Sequence, residues 1–600
     1  MCRIFGEFGT TTSGEDMARV SMRQQHGGPD SQVVVGGDGW ALGVNRLAVV
    51  DPVGGAQPYA SVPGVVAVFN GEIYNDQQLR RLLTQRGHVV PGRCDGAIIP
   101  GLYAEFGPPF VDLLDGMFAI AIVDTRSTPM LFLSADPVGM KPLYYSWRPG
   151  RGELRFSSEI PALLGFSGID TAVDELALDD YLATKAPFGE RTFYRGVSVL
   201  PPGASATVTA GQLRVRRPAI ESGRSVATTL AESGANLNAR LDAEVRRLLQ
   251  ADVPVCVLTS GGLDSSLVTA LAARHRPGIA SFTIGYAGRW PQDERSFARR
   301  VADHCGTRHH EVEIDPASFP DLLPTVVDHL GQPNADPITL STFALFREIR
   351  ASGHTVALTG DAADELFGGY DRTVTACSAP AGDDWVTPYV DALAAIPRPV
   401  REKLYTAEYR ALLAERTGAE DRLTERLRST GRDRLSAMTD IELRLRLPAY
   451  HLRRVDHLSM ASSVEARLPF CQPSIVRFAA ESPGTAKVWR GQRKRAVFEA
   501  ARGLLPDSIL SRPKQPFTLP IAAMLTPGEA LTAFVTEMLL SDTVRNDGKL
   551  DEGAVRRLLD AQSNRPTNGT ALAIWALVIY LVWLRAGVPA AVTASEWARR

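Results

Sequence analysis

No CxxC pair occurs among the six cysteines, Cys2, Cys94, Cys256, Cys305, Cys377 and Cys471. Their scatter suggests neither a zinc site nor a disulfide framework. An excess of charge is missing too: 65 basic residues face 67 acidic ones, a formal net charge of −2, so no broad basic surface offers itself to nucleic acid. Ala571–Leu584 is apolar but falls short of the ~20 residues of a membrane-spanning helix and reads as a buried C-terminal helix. The N-terminus has no basic region followed by an apolar core, hence no secretory signal, and no internal repeat or low-complexity segment stands out. What remains, 600 residues with 44% hydrophobic and 22% charged, is an ordinary globular composition, long enough for two or more domains that each bury a core. The chain reads as cytoplasmic, where thiols stay reduced, with no membrane and no nucleic-acid partner.

Residues 1 to about 210 are β-rich. Ser31–Val35, Val65–Asn70, Met117–Asp124, Met130–Ala135 and Leu154–Ser157 are β-favouring runs between Gly/Pro turns, and Asp76–Arg86 is the clearest helical pattern. After Leu200-Pro201-Pro202-Gly203 a polar linker follows. From about 225 the pattern becomes a helix (Val226–Leu249), a continuous apolar strand (Val253–Thr259), a Gly/Ser turn and then helices alternating with strands as far as Thr355–Thr359. Such alternation predicts a parallel, doubly wound sheet. Beyond about 380 the chain is mostly helical.

Three places carry chemistry. Cys2 follows the initiator methionine directly; once Met1 is clipped, one residue holds a thiol and a free α-amine, whose reference pKa of about 7.7–8.0 suits it to take the thiol proton. A small hydrophobe in a first strand is the plain alternative. Ser260-Gly261-Gly262-Leu263-Asp264-Ser265-Ser266 lies between a buried strand and a helix, where backbone amides and a helix N-terminus cradle anions. It lacks the GxxxxGK[ST] pattern, and Asp264 beside phosphates implies Mg²⁺. SGGxDS resembles the loop of ATP pyrophosphatases, which cleave between the α- and β-phosphates. Thr359-Gly360-Asp361-Ala362-Ala363-Asp364-Glu365 places three carboxylates after another buried strand, at the edge where doubly wound sheets bind ligands. Lys494, in a basic helical stretch, could offset charge on a departing pyrophosphate.

Taken together the chain resembles the glutamine-dependent asparagine synthetase family over nearly its whole length. Cys2 with Ile4-Phe5-Gly6 is similar to the start of class II glutamine amidotransferases. His26-Gly27-Gly28-Pro29-Asp30, Asn45–Asp51, Phe69–Asn75 and Leu114–Ala119 follow in the family's order. SGGLDSS, TGDAADELFGGY, Val455–Ala461 and Glu465–Phe470 carry the second half.

The resemblance implies an Ntn-type αββα sandwich over 1–210 and, over 225–600, an ATP-pyrophosphatase domain: a doubly wound sheet like that of the adenine nucleotide α-hydrolases, with a helical extension. It implies that Cys2 attacks glutamine, that Asn70 and Gly71 form the oxyanion hole, that Arg46 clamps the α-carboxylate, and that Asp95 with Glu72 meets the α-ammonium. ATP would be held by Leu258, Ser260, Gly261, Gly262, Asp264, Ser265, Ile284, Thr359 and Gly360, and Mg²⁺ by Asp264 and Asp364. Asp361 is the implied base and Lys494 the pyrophosphate partner. A carboxylic acid acceptor, aspartate by default, would become an acyl-adenylate and then an amide, with ammonia crossing an apolar passage between the sites. A homodimer is left open.

Departures from the family are specific. HRGPD is HGGPD here, so one charge near the glutaminase pocket is gone at Gly27; Ala97 replaces an acid; Asp361 replaces glutamate; and Asn334-Ala335-Asp336-Pro337-Ile338-Thr339 lacks an arginine-bearing segment. The last opens the acceptor to the carboxylate of a specialised metabolite. A β-lactam synthetase or lasso-peptide cyclase type of ligase, which uses an internal amine, has no need of Cys2, Arg46, Asn70, Gly71 and Asp95. A non-catalytic sensor would tolerate loss of Asp264, Asp364 or Lys494.

Overall fold

The computed structural model describes residues 1–587 apart from 12, 210, 218–227, 292 and 516–517; most of the expected linker lies outside the described residues. Two antiparallel six-stranded sheets stack first. One runs Ser198–Val199, Tyr144–Arg148, Glu153–Ser157, Cys2–Phe8, Trp40–Arg46, Ser31–Gly37, and the other Gln212–Arg216, Ser205–Thr209, Met130–Ala135, Gly116–Asp124, Val65–Ile73, Tyr59–Val62. Ile4, Phe8, Leu42 and Val44 meet Val68, Ala119, Ala121 and Leu133 between the sheets, the dry interface that two facing sheets form. Asp76–Gln85 and Ile99–Phe106 cover one outer face through Leu79, Leu83, Ile99 and Leu102. Gly14–Arg23 and Ile160–Leu163 cover the other with Met17, Val20, Ile160 and Leu163. This is the αββα sandwich expected. The strand expectations lie within a few residues of the observed ends, whereas helix Gly14–Arg23, capped by Ser13 Oγ accepting Asp16 N–H at 3.2 Å, was not anticipated.

Helix Leu230–Leu248, with a capping box at Thr229, leads into the parallel sheet. Its strand order is Arg308–Ile314, Ala280–Tyr286, Val255–Leu258, Val356–Leu358, Glu465–Arg467. Chain order reverses between Val255–Leu258 and Val356–Leu358, so a crevice opens at their C-terminal ends, where both the Ser260 loop and the Asp361 loop start. The fifth strand, Glu465–Arg467, was not expected: at three residues it shows no periodicity, and only its parallel pairing with Val356–Leu358 makes it a strand. Asn568–Ala586 is a helix whose length and composition could cross a membrane, longer than the apolar run in the sequence. Here Ile574–Leu581 are wholly buried against other parts of the chain.

Candidate active site

Cys2 opens the central strand of its sheet, pairing with Arg46 on Trp40–Arg46. Its backbone N–H donates to Asn70 Oδ1 at 3.1 Å, and Asn70 Nδ2 is buried without a hydrogen-bond partner. That leaves a buried, unsatisfied donor on a side chain that contacts Cys2, as an oxyanion hole needs. Gly71 follows with φ of +151°, and a Cβ there would lie 2.0 Å from Met117 O, so only glycine holds this backbone turn. Three of the five Arg46 donors go to carbonyls, Pro52 O at 2.9 Å, Val50 O at 3.2 Å and Asp51 O at 2.8 Å. Nε–H and one Nη1 hydrogen remain for a carboxylate. Asp95 accepts Ile73 N–H at 2.7 Å. Burial, and for Glu72 also the neighbouring Asp95, holds both carboxyls above their ordinary range; a cation beside them would favour their charged form.

The Met1 ammonium lies 3.5 Å from Glu465 and donates to Leu47 O at 3.1 Å. Removing Met1 converts the nitrogen now facing Asn70 Oδ1 into the α-amine. Two residues outside the expected set complete this pocket. Gln57 touches the Cys2 sulfur. Arg467, from the unexpected fifth strand, lies 3.6 Å from Glu72 while its own carbonyl accepts Thr359 N–H at 3.0 Å.

The charge expected to be missing at Gly27 is present by another route. A Cβ on Gly27 would fall 2.7 Å from Arg3 Cγ. The buried Arg3 guanidinium lies 2.6 Å from both Glu159 and Asp456, and Lys141 Nζ lies 2.8 Å from Asp456. Burial pushes the Asp456 carboxyl up, but Arg3 and Lys141 outweigh it and hold it down at about 2. Because the folded value is depressed, the stabilisation it brings is full above the unfolded value near 4 and fades as pH falls through about 2. Thermal melting of wild type between pH 4 and 2 should show that loss, and Asp456→Asn should be less stable at pH 7 with a flatter acid profile. An equal slope in the variant refutes the assignment.

At the parallel sheet a cavity of about 650 Å³ opens at the reversal point. Leu258, Ser260, Gly262, Asp264, Ser265 and Ile284 line one side, and Thr359, Gly360, Asp361, Asp364 and Lys494 another. Gly261 is in the turn behind, with φ of +73° and no room for a Cβ against Phe297. Gly262 N–H donates to Ser260 Oγ at 3.2 Å, and Ser260 and Ser265 hydroxyls meet at 2.9 Å, closing the loop on itself at the start of helix Leu263–His275. Lys494 Nζ bridges Asp264 and Asp364 at 2.6 Å each, and Lys514 reaches Asp364 at 2.8 Å. Burial lifts both carboxyls; the two lysines overcome it at Asp364 and bring it well below the usual range, while Asp264 stays raised. Ala362 and Lys494 both hold positive φ, +81° and +48°, strain of the kind proteins keep at working sites. Asp264 Oδ1 is buried and unpartnered, so the donor set suits a hard cation.

Beyond the nucleotide loops the wall changes. Glu442–Leu452 winds as a π-helix, a form frequent at functional sites, and brings Arg446, Tyr450 and His451 to the cavity. His451 Nε2 lies 3.1 Å from Glu365 and 3.2 Å from Tyr370 Oη, and Tyr370 also donates to Glu365. Burial, then Asp364 and Glu442, pushes Glu365 up to about 7; burial, then Arg446 and Arg372, brings Lys185 down to about 7. Beside Asn334–Thr339 stands Arg454, 3.3 Å from Asp336 and 3.6 Å from Asp361. Lys185, the Glu365–Tyr370 stretch and the Arg446–Arg454 stretch are far apart in the chain, and no spacing links them. One apolar cluster extends from Met1 and Met117 through Val138, Met140 and Leu447 to Ala362, joining the surroundings of the two sites.

The family model described as asparagine synthase matches residues 236–585, and that described as a glutamine amidotransferase domain matches 1–218. The chain is similar to a putative glutamine-hydrolysing asparagine synthetase of Mycobacterium tuberculosis, 31% identical over 94% of this chain and 93% of that one. It is also similar to glutamine-hydrolysing asparagine synthetase 3 of Bacillus subtilis, 30% identical over 84% of each, and to the asparagine synthetase of Asparagus officinalis, 32% identical over 62% of this chain and 60% of that one. A solved glutamine phosphoribosylpyrophosphate amidotransferase from B. subtilis aligns at 14% identity and a TM-score of 0.28, over 60% of this chain and 81% of that one, too slight a likeness to argue from. The chain belongs to the glutamine-hydrolysing asparagine synthetase family, as an ATP-dependent carbon–nitrogen ligase that takes its nitrogen from glutamine.

Proposed function

We propose that residues 1–210 release ammonia from glutamine and residues 225–600 adenylate a carboxylic acid, aspartate by default, which the ammonia converts to an amide. The observation that carries this is the gathering of Ser260, Asp264, Asp361, Asp364 and Lys494, from three distant segments, around one cavity at the sheet's reversal point. Cys2 Sγ attacks the glutamine side-chain carbonyl; the oxyanion is met by Asn70 Nδ2 and the Gly71 N–H, groups that gain most as the charge develops. Ammonia leaves and water later releases glutamate from the thioester. In the second site the acceptor carboxylate attacks the α-phosphorus of ATP, pyrophosphate departs toward Lys494, and ammonia displaces AMP. Asp264 and Asp364 would hold Mg²⁺, which when bound supplies positive charge to the phosphates. Asp361, 3.6 Å from Arg454, takes a proton from the attacking ammonia. An apolar route between the sites keeps ammonia unprotonated, and a cytoplasmic setting suits the free cysteines.

A second reading, a specialised carboxylic acid as acceptor, is favoured by the wall of Lys185, Tyr450 and His451 beside Asp336-Pro337-Ile338. ATP–pyrophosphate exchange over a panel of carboxylic acids, aspartate first, separates the two: the true acceptor raises exchange at least about tenfold over the acceptor-free rate. Products of turnover should be AMP and pyrophosphate; ADP and phosphate would rule out an acyl-adenylate.

A further inference from the structure

Gln57 stands outside every motif used above, yet its side chain reaches the Cys2 sulfur. Its Nε2 lies 3.2 Å from Sγ and 3.0 Å from Phe69 O, and its Oε1 accepts Phe69 N–H at 2.8 Å. The backbone N–H of Phe69 requires the amide oxygen, so the orientation of the side chain follows from the network and the NH₂ group faces the sulfur. Phe69 O holds one hydrogen and the other points at Sγ. Gln57 is 7% exposed, and a fixed donor out of water favours an anionic acceptor over a neutral one.

The charges that face the sulfur do not supply such a contact. Burial drives the thiol up; the Met1 ammonium, Arg46 and the Leu47 backbone N–H oppose it and Asp95 reinforces it. Tyr59 also adjoins, its hydroxyl engaged with Cys94. The Arg46 fork is partly spent on the Val50–Pro52 carbonyls.

We propose that Gln57 is a catalytic residue of the glutaminase site, donating from Nε2 to the Cys2 thiolate and holding the sulfur beside Asn70. The proposal rests on Cys2 being the nucleophile. When the thiol proton passes to the α-amine of Cys2, one lone pair on the thiolate accepts the Gln57 N–H. A second pair forms the S–C bond as the glutamine carbonyl is attacked, the C=O π electrons moving to oxygen, and Gln57 keeps its hydrogen throughout. Because Phe69 precedes Asn70, one amide ties the nucleophile to the oxyanion donor.

The test uses the full chain with Gln57→Met, of the same length without a donor, and Gln57→Glu, which keeps the acceptor for Phe69 but turns an oxygen to the sulfur. Cys2→Ala is the reference. Glutamate release gives kcat and KM, and mass spectrometry of the Cys2 peptide gives the pH dependence of its alkylation by iodoacetamide. Gln57→Met should lower kcat for glutamine hydrolysis about 10–100-fold, leave KM little changed and move the alkylation midpoint up by about one to two pH units; Gln57→Glu should move it further. A packing role alone would lower kcat without moving that midpoint. Wild-type alkylation profiles in both variants overturn the proposal, and the Glu variant decides should the Met variant fail to fold. Glutamate release surviving in Cys2→Ala would instead overturn the nucleophile assignment, a separately visible result.

Discussion

Cys2→Ala ends glutamine-supported amide formation, a loss of at least about 10³-fold, while ammonium salts at alkaline pH still drive the reaction at a rate close to wild type. The size follows from removing a nucleophile whose base is carried on the same residue, so no neighbour can take over. The ammonia arm survives because Cys2 lies in the antiparallel sheet and is not among the described residues that line the synthetase cavity. The structural cost is small: alanine keeps the backbone N–H to Asn70 Oδ1. Amide formation with each nitrogen donor, measured side by side with the intact mass of the active protein, checks both halves. Glutamine remaining an efficient donor in the variant, or Met1 persisting in fully active wild type, would refute the assignment of Cys2 with its own α-amine as base.

Lys494→Met should give the other large effect, at least about 10²–10³-fold on ATP–pyrophosphate exchange, with glutamine hydrolysis retained. The ammonium is buried between Asp264 and Asp364 at 2.6 Å from each. Both carboxylates would otherwise repel one another in a place where burial already lifts their pKa values. Lys514 reaches only Asp364 and is more exposed, so it does not replace the bridge. Lys494→Arg should rescue poorly, because a planar fork cannot sit as a point charge between two carboxylates in a position of positive φ. Wild-type exchange in the methionine variant would remove Lys494 from the chemistry and reduce it to a salt-bridge partner.

Much of the fold was legible because strand and helix periods are local: Met130–Ala135 matches to the residue, and the alternation after 225 predicted the parallel sheet. The short strand Glu465–Arg467 was not legible, since it exists only through its partner. Helix Gly14–Arg23 was overlooked among β-favouring runs. At the sites, motif residues were readable where one loop holds several chemical groups, as around Ser260 and Asp361. Gln57, Lys185, Arg454, His451 and Lys514 were not, because their partners at the sites come from other parts of the chain. Arg3 shows the limit most directly: Gly27 looked like a lost charge, but the space it leaves is filled by a guanidinium from the first strand.

By itself the sequence marked where the two chemistries are expected, for a cysteine directly after the initiator methionine and a Gly/Ser loop carrying an aspartate are properties of adjacent residues. It also determined the fold class, through periodicities that a local reading captures. Only the tertiary structure decided how those groups are balanced. Lys494 standing between two carboxylates, Arg467 spanning from Glu72 to the strand beneath the Asp361 loop, and Gln57 against Cys2 are meetings of residues far apart in the chain. A linear pattern carries no record of them, because burial and pairing, not spacing, set their energies.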